Sequence, residues 1–309
     1  MASEQGERAA RDRQVARYES EGWGFESLRA RRPKVLGSNG PPRGRPRGMG
    51  IVVLGRADDP CPRQSSTTGD IGVAPRHQRA PTVKAMDTES VRTAVMSVRD
   101  TALARVRDDR GVRVEDYLTV LASLTGEAVV VDAGLFDIEQ SDMTPGAPVF
   151  GDELNVLLSG DSTDIAEADP LSVVGVVRDQ LVPGVLGPEG FPSLQDLYQI
   201  VAGNVGELAW GTVATSVPED HQPEVLPLQV AFELRPAVSE AIAALAAELG
   251  SDCPSRHVLC ALALASAIAQ TADALDPVIG LRLALEVVFG MAKTVPMSSA
   301  AMSRLASED

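Results

Sequence analysis

The chain has 309 residues, 44% of them hydrophobic, with a formal net charge of −15, which is enough apolar material for one or two domains with ordinary cores. Its three cysteines, Cys61, Cys253 and Cys260, are too few for the disulfide framework of a small secreted domain. An Arg-rich polar N-terminus shows no apolar signal region, and no apolar run reaches the roughly 20 residues of a membrane span, so the expectation is a soluble, cytoplasmic protein without membrane association.

The charge divides the chain. Residues 1–85 hold 16 Lys and Arg against 9 Asp and Glu, a balance of +7, whereas residues 86–309 stand at −22. The first segment carries runs such as Arg29-Ala30-Arg31-Arg32-Pro33 and little hydrophobic periodicity, so it is expected to be disordered. One functional reading is a basic arm. A second is an over-extended reading frame with the true start at Met86, because Gly24-Phe25-Glu26-Ser27-Leu28 resembles the translated T-arm of a transfer RNA gene. The strongly acidic remainder repels phosphate backbones, and nucleic acid is not an expected partner for it.

From Met86 onward the pattern predicts an all-α fold, a single multi-helix domain with several long loops. Asp87 or Thr88 caps a first helix with the stripe Val91, Val95, Val98, Ala102 and Val106, ending near Gly111. A second helix runs from about Val114 to Gly126. Ala128–Val131 fits either a β-branched strand or a short buried helix, and helix is chosen because no partner strand is evident. Residues 134–149 read as a loop, followed by helices near Gly151–Leu158, with Leu154 and Leu157 inward, and near Leu171–Leu181. Ser193 with Asp196 resembles a capping box, opening a helix with Leu194, Tyr198, Val201, Val205 and Leu208 on one face.

After a further loop, Pro236 is placed in the first turn of a helix with the stripe Val238, Ile242, Leu245 and Leu249, closed by Gly250. Pro254–Gln270 is so continuously apolar that it is predicted to be the central helix, surrounded on all sides. Pro277–Ala292 carries Val278, Leu281, Leu285 and Val288, and these last three helices are expected to pack as antiparallel neighbours. A short helix or frayed tail ends the chain.

Chemical motifs are sparse. Lys293-Thr294 follows Ala292 where a phosphate loop needs glycine, the glycines of residues 184–190 lack dinucleotide spacing, and neither GxSxG nor HExxH occurs. The acidic loop Asp137-x-Glu139-x-x-Asp142 is a weak candidate for a hard cation, but its sixth position is Asp142 and its twelfth Pro148, unlike an EF-hand. Asp161 and Asp164 have the same standing. His221 lies on a polar loop, where a solvated imidazole is the commoner case. Cys253, His257 and Cys260 are spaced i, i+4 and i+7, one helix face if the helix includes Cys253, and are weak metal candidates; packing cysteines are the commoner outcome. No cofactor is indicated. The expected function is non-catalytic: a helical protein that binds a protein partner or small ligand. The alternative is an enzyme with an acidic site, metal-assisted or not, drawn from Asp137, Glu139, Asp142, His221 and Arg235 on and beside the long loops.

Overall fold

A computed structural model describes residues 89–160, 162–204, 213 and 215–307. The expectations for residues 1–85, for the cap at Asp87 or Thr88, for Asp161, and for Val205 and Leu208 lie outside the described residues. Nine α-helices occur among those described, and no β-strand; only the isolated bridges Asp108–Gly111 and Pro148–Thr294 interrupt the helical pattern. The described residues all belong to one compact unit. Among the described residues no helix is long and apolar enough to cross a membrane.

The helix α1 (Glu89–Val106) buries Val91, Val98 and Ala102 of the predicted stripe and also Ala94, leaves Val95 and Val106 partly covered, and ends before the expected Gly111, which instead pairs with Asp108 in an isolated bridge. Next, α2 (Val114–Ala133) buries fifteen of its twenty residues. It does not stop at Gly126, as the glycine suggested. A Cβ on Gly126 would lie 2.6 Å from both Met291 Cβ and the Val288 carbonyl oxygen, so this glycine permits a close helix crossing instead of a turn. The β-branched run Val129–Val131 then continues the same helix, because packing on every side overrides its weak strand preference. Gly134, at φ 62°, closes the helix with its N–H on the Val131 carbonyl.

Short helices α3 (Asp152–Ser159) and α4 (Val173–Leu181) follow; α3 buries Leu154 and Leu158, with Leu157 only partly covered. Ser172 caps α4 by accepting the Gly175 N–H, and Ser193 caps α5 (Leu194–Gly203) by accepting the Asp196 N–H. The next helix, α6 (Pro227–Leu249), starts nine residues before Pro236. The proline that stands at its first turn is Pro227, and Pro236 is carried inside, where it lacks the N–H that would reach the Phe232 carbonyl. Helices α7 (Arg256–Thr271), α8 (Pro277–Ala292) and α9 (Ser299–Ser307) complete the described chain.

The centre of this arrangement is α2, which packs most extensively on α8 and α7 and also meets α6, α1 and α3. Helix α7 is buried along ten residues, against α2, α4, α1 and α8, but it is a neighbour of the axis and not the axis. The last three long helices are not a simple antiparallel set either: α6 packs on α1 and α2. Val278, expected inward, is 42% exposed at the start of α8. It lies in the first turn, where its N–H donates to the Asp276 cap, and the buried run begins at Gly280.

Candidate functional site

Arg235, Glu139, His221 and His257, among the residues that suggested chemistry, fall into separate polar ties between elements of the fold. The most extensive begins with Arg235 on α6. Its Nε and Nη2 donate to Glu127 Oε1 and Oε2 of α2 at 2.7 and 2.9 Å, its Nη1 to Glu139 at 3.1 Å, and Nη2 also to the Met297 carbonyl at 2.6 Å. Glu139 in turn accepts the Ser299 N–H at the start of α9. One guanidinium therefore joins α6, α2, the 134–149 loop and the C-terminal segment. Burial opposes its charge, but the Glu127 and Glu139 carboxylates outweigh that and hold its pKa above the ordinary arginine value. Its side chain is 15% exposed and that of Glu127 5%, so this is an interior pair. Asp137, beside it in the loop, accepts the Glu139 N–H as a local turn.

His221 belongs to a second tie. Its Nδ1 lies 2.8 Å from Glu115 in the first turn of α2, and Arg113 donates to the carbonyls of Asp220 and Gln222. Nearby, Asp116 accepts the backbone N–H groups of Glu224 and Val225. Burial raises the Asp116 pKa against the lowering effect of those two donors. These contacts seat the segment before α6 on the start of α2. Arg235 and Glu139 thus share one network, while His221 sits in another; Asp142 joins neither network. Asp164 caps the 3₁₀ turn Ile165–Glu167 by accepting the Ala166 N–H.

The cysteine and histidine spacing does not form one helix face. Helix α7 begins at Arg256, and Cys253 precedes it in extended backbone with its thiol directed to the Pro254 carbonyl. His257 instead accepts no metal-like geometry with the thiols: its Nδ1 and backbone N both meet Asp132 Oδ2, at 2.7 and 2.8 Å, and Nε2 lies 3.1 Å from the Leu171 carbonyl. It pins the start of α7 to the end of α2 and the entry to α4. Among the described residues no group of three or more His, Cys, Asp or Glu side chains is placed to hold a metal ion. Cys260 is fully buried, and burial pushes its thiol up to about 12. Alkylation with iodoacetamide at pH 8 should therefore label Cys253 in the native protein and spare Cys260 until the chain is unfolded; peptide mass spectrometry showing Cys260 modified at the native rate of Cys253 would contradict this packing.

Lys293, noted in the sequence only as part of a failed phosphate-loop pattern, ends α8 with its ammonium 2.7 Å from Asn155 Oδ1. Burial lowers its pKa from 10.5 to about 8. The folded state then binds fewer protons than the unfolded state between pH 8 and 10.5, so stability should rise as pH increases through that window. A shift of this size corresponds to about 3 kcal/mol. The Cys260 thiol acts in the opposite sense above its unfolded value of 9, since the fold resists forming the thiolate. Urea unfolding of the protein and of Lys293→Met at pH 8 and 10.5 separates the two: the difference between them should narrow by a few kcal/mol in favour of the protein carrying lysine, whereas an unchanged difference would contradict a desolvated amine.

A cavity of about 390 Å³ opens between α5 and α8. Pro192, Leu197 and Ile200 supply an apolar wall, and Asp196, Gln199, Arg282 and Glu286 bring polar groups to it. Arg282 and Glu286 lie one turn apart on α8, and Glu286 is 2% exposed. These residues were not singled out from the sequence. The available signal was a lone arginine and glutamate, spaced i and i+4, in the otherwise apolar stretch Leu281–Met291.

No family model matches the chain, and no curated protein or solved structure is significantly similar to it. The fold and the ties define the class of protein directly: an all-α domain whose interior polar groups connect helices to one another.

Proposed function

We propose that the protein is a non-catalytic, cytoplasmic helical protein that binds a small ligand. The observation that carries this reading is the commitment of Arg235, Glu139 and His221 to ties between elements. A general acid, base or nucleophile needs a free reactive atom facing a substrate, and these three groups face their neighbours. The alternative, an enzyme with an acidic site on the loops, needs Glu139 and His221 to converge, and they serve different networks. A small ligand is favoured over a protein partner by the cavity between α5 and α8, whose volume falls within the range of roughly 300–1,000 Å³ usual for small-molecule sites.

Equilibrium dialysis of the full chain against a defined mixture of small metabolites, followed by mass spectrometry of the retained compounds, tests the reading. Retention of a chemically unchanged compound is expected, equally for the protein and for Asp142→Asn and His221→Gln. Conversion of the retained compound, abolished by either substitution, would establish the enzyme instead.

A further inference from the structure

We infer that the cleft between α5 and α8 binds a compact apolar amino acid, a molecule carrying one ammonium group, one carboxylate and a hydrocarbon side chain. This rests on the small-ligand reading above and gives it a chemical class. The cleft presents both signs of charge, and its charged groups form no ion pair with one another among the described residues. The side chains of Arg282 and Asp196 have no hydrogen-bond or ion-pair partner among the described residues, yet both residues line the cavity. Glu286, buried in the same wall, accepts from the Ser216 N–H at 2.6 Å and the Ser216 hydroxyl at 2.5 Å, and no described cation pairs with it.

A buried carboxylate with hydrogen bonds but no countercharge favours an incoming cation, because desolvation strengthens the attraction that water would screen. An ammonium group donates three hydrogen bonds and suits Glu286 together with Asp196. The guanidinium of Arg282 offers the paired donors that match a carboxylate. Pro192, Leu197 and Ile200 of the same lining provide the surface for a hydrocarbon side chain. The cavity's volume, at the lower end of the usual range, fits a compact molecule and not a dinucleotide.

Isothermal titration of the full chain with L-leucine, 3-methylbutylamine and 3-methylbutyrate tests the assignment. Leucine should bind, and each analogue with a single charged group should bind at least about tenfold more weakly. Arg282→Gln, an exposed position, should weaken leucine by at least about tenfold and remove its advantage over the amine; Asp196→Asn should weaken it in the same direction. Circular dichroism of both variants verifies that they remain folded. Absence of heat with leucine, or leucine affinity unchanged in Arg282→Gln, would overturn the site. Leucine bound at the cleft and then chemically altered would leave the site standing and end the non-catalytic reading.

Discussion

Replacing Arg235 by alanine should lower stability by about 3–5 kcal/mol, the largest effect expected of any single charge removal in the described fold. The cause is what stays behind. Glu127 is 4% exposed and would keep its carboxylate inside the protein after losing both of its bonds to the guanidinium. The Met297 carbonyl and Glu139 would lose their donor as well, loosening the C-terminal segment and the 134–149 loop together. For a domain of this size the loss corresponds to a fall in Tm of roughly 6–20 °C. Glu139→Gln should cost no more than about 1 kcal/mol, because that carboxylate is half exposed and its pairing is screened. Thermal melts followed by circular dichroism check both. Equal effects from the two substitutions would show that the interior Glu127 bond is not the dominant member of the network.

Gly126→Leu should be of similar severity for a steric reason. Two of the atoms that a new Cβ would meet at α8, the Val288 carbonyl oxygen at 2.6 Å and the Ala292 nitrogen at 3.0 Å, belong to the backbone and cannot rotate away. Overpacking in a filled core costs about 1–3 kcal/mol and occasionally more, and α2 with α8 forms the most extensive helix pair among the described residues. Even Gly126→Ala should destabilise, because the gain of about 1 kcal/mol in helix propensity is smaller than the cost of separating the two helices. Gly203, at the end of α5, has nothing within 4 Å of its Cβ position. There the same change to alanine should stabilise by about 0.5–1 kcal/mol. Urea denaturation distinguishes the cases; a neutral Gly126→Ala would mean that the two helices can move apart freely.

The difference between those glycines marks the limit of what the sequence discloses. Helical periodicity and caps are local, so Ser193, Gly134 and Asp276 act at helix ends with their own neighbours, and Val91, Val98 and Ala102 of the α1 stripe were readable. Gly126 was read as an ending because a glycine that stops a helix and one that admits another helix look alike until the partner is known. Pro236 misled for the same reason: proline marks a helix start well, but a long amphipathic helix packed on α1 and α2 tolerates one inside. The apolar richness of α7 suggested the centre, yet α2 occupies it with Thr119, Ser123 and Thr125 buried along it. Two of those hydroxyls return to their own helix, Ser123 to the Thr119 carbonyl and Thr125 to the Leu121 carbonyl, which hides them from the core.

The candidate site was less legible. Arg235, Glu139 and His221 were visible as residue types, but their partners Glu127 and Glu115 stand more than 90 residues away in the chain, and no spacing rule reaches that far. The cleft is similarly non-local, since Asp196 comes from α5 and Arg282 with Glu286 from α8. Net charge along the chain did not tell which acids would lack a partner inside the fold.

Unfolding and ligand retention of the double variant Glu127→Leu, Arg235→Met test most directly the claim that the charged candidates hold the fold and perform no chemistry. An apolar pair of similar volume can replace an interior ion pair with little loss. The double variant should therefore recover most of the stability lost by Arg235→Ala, melt close to the parent, and retain the same unchanged compound in equilibrium dialysis. A variant that melts normally but no longer retains the compound would show that the Arg235–Glu127 pair serves the ligand, contradicting the account.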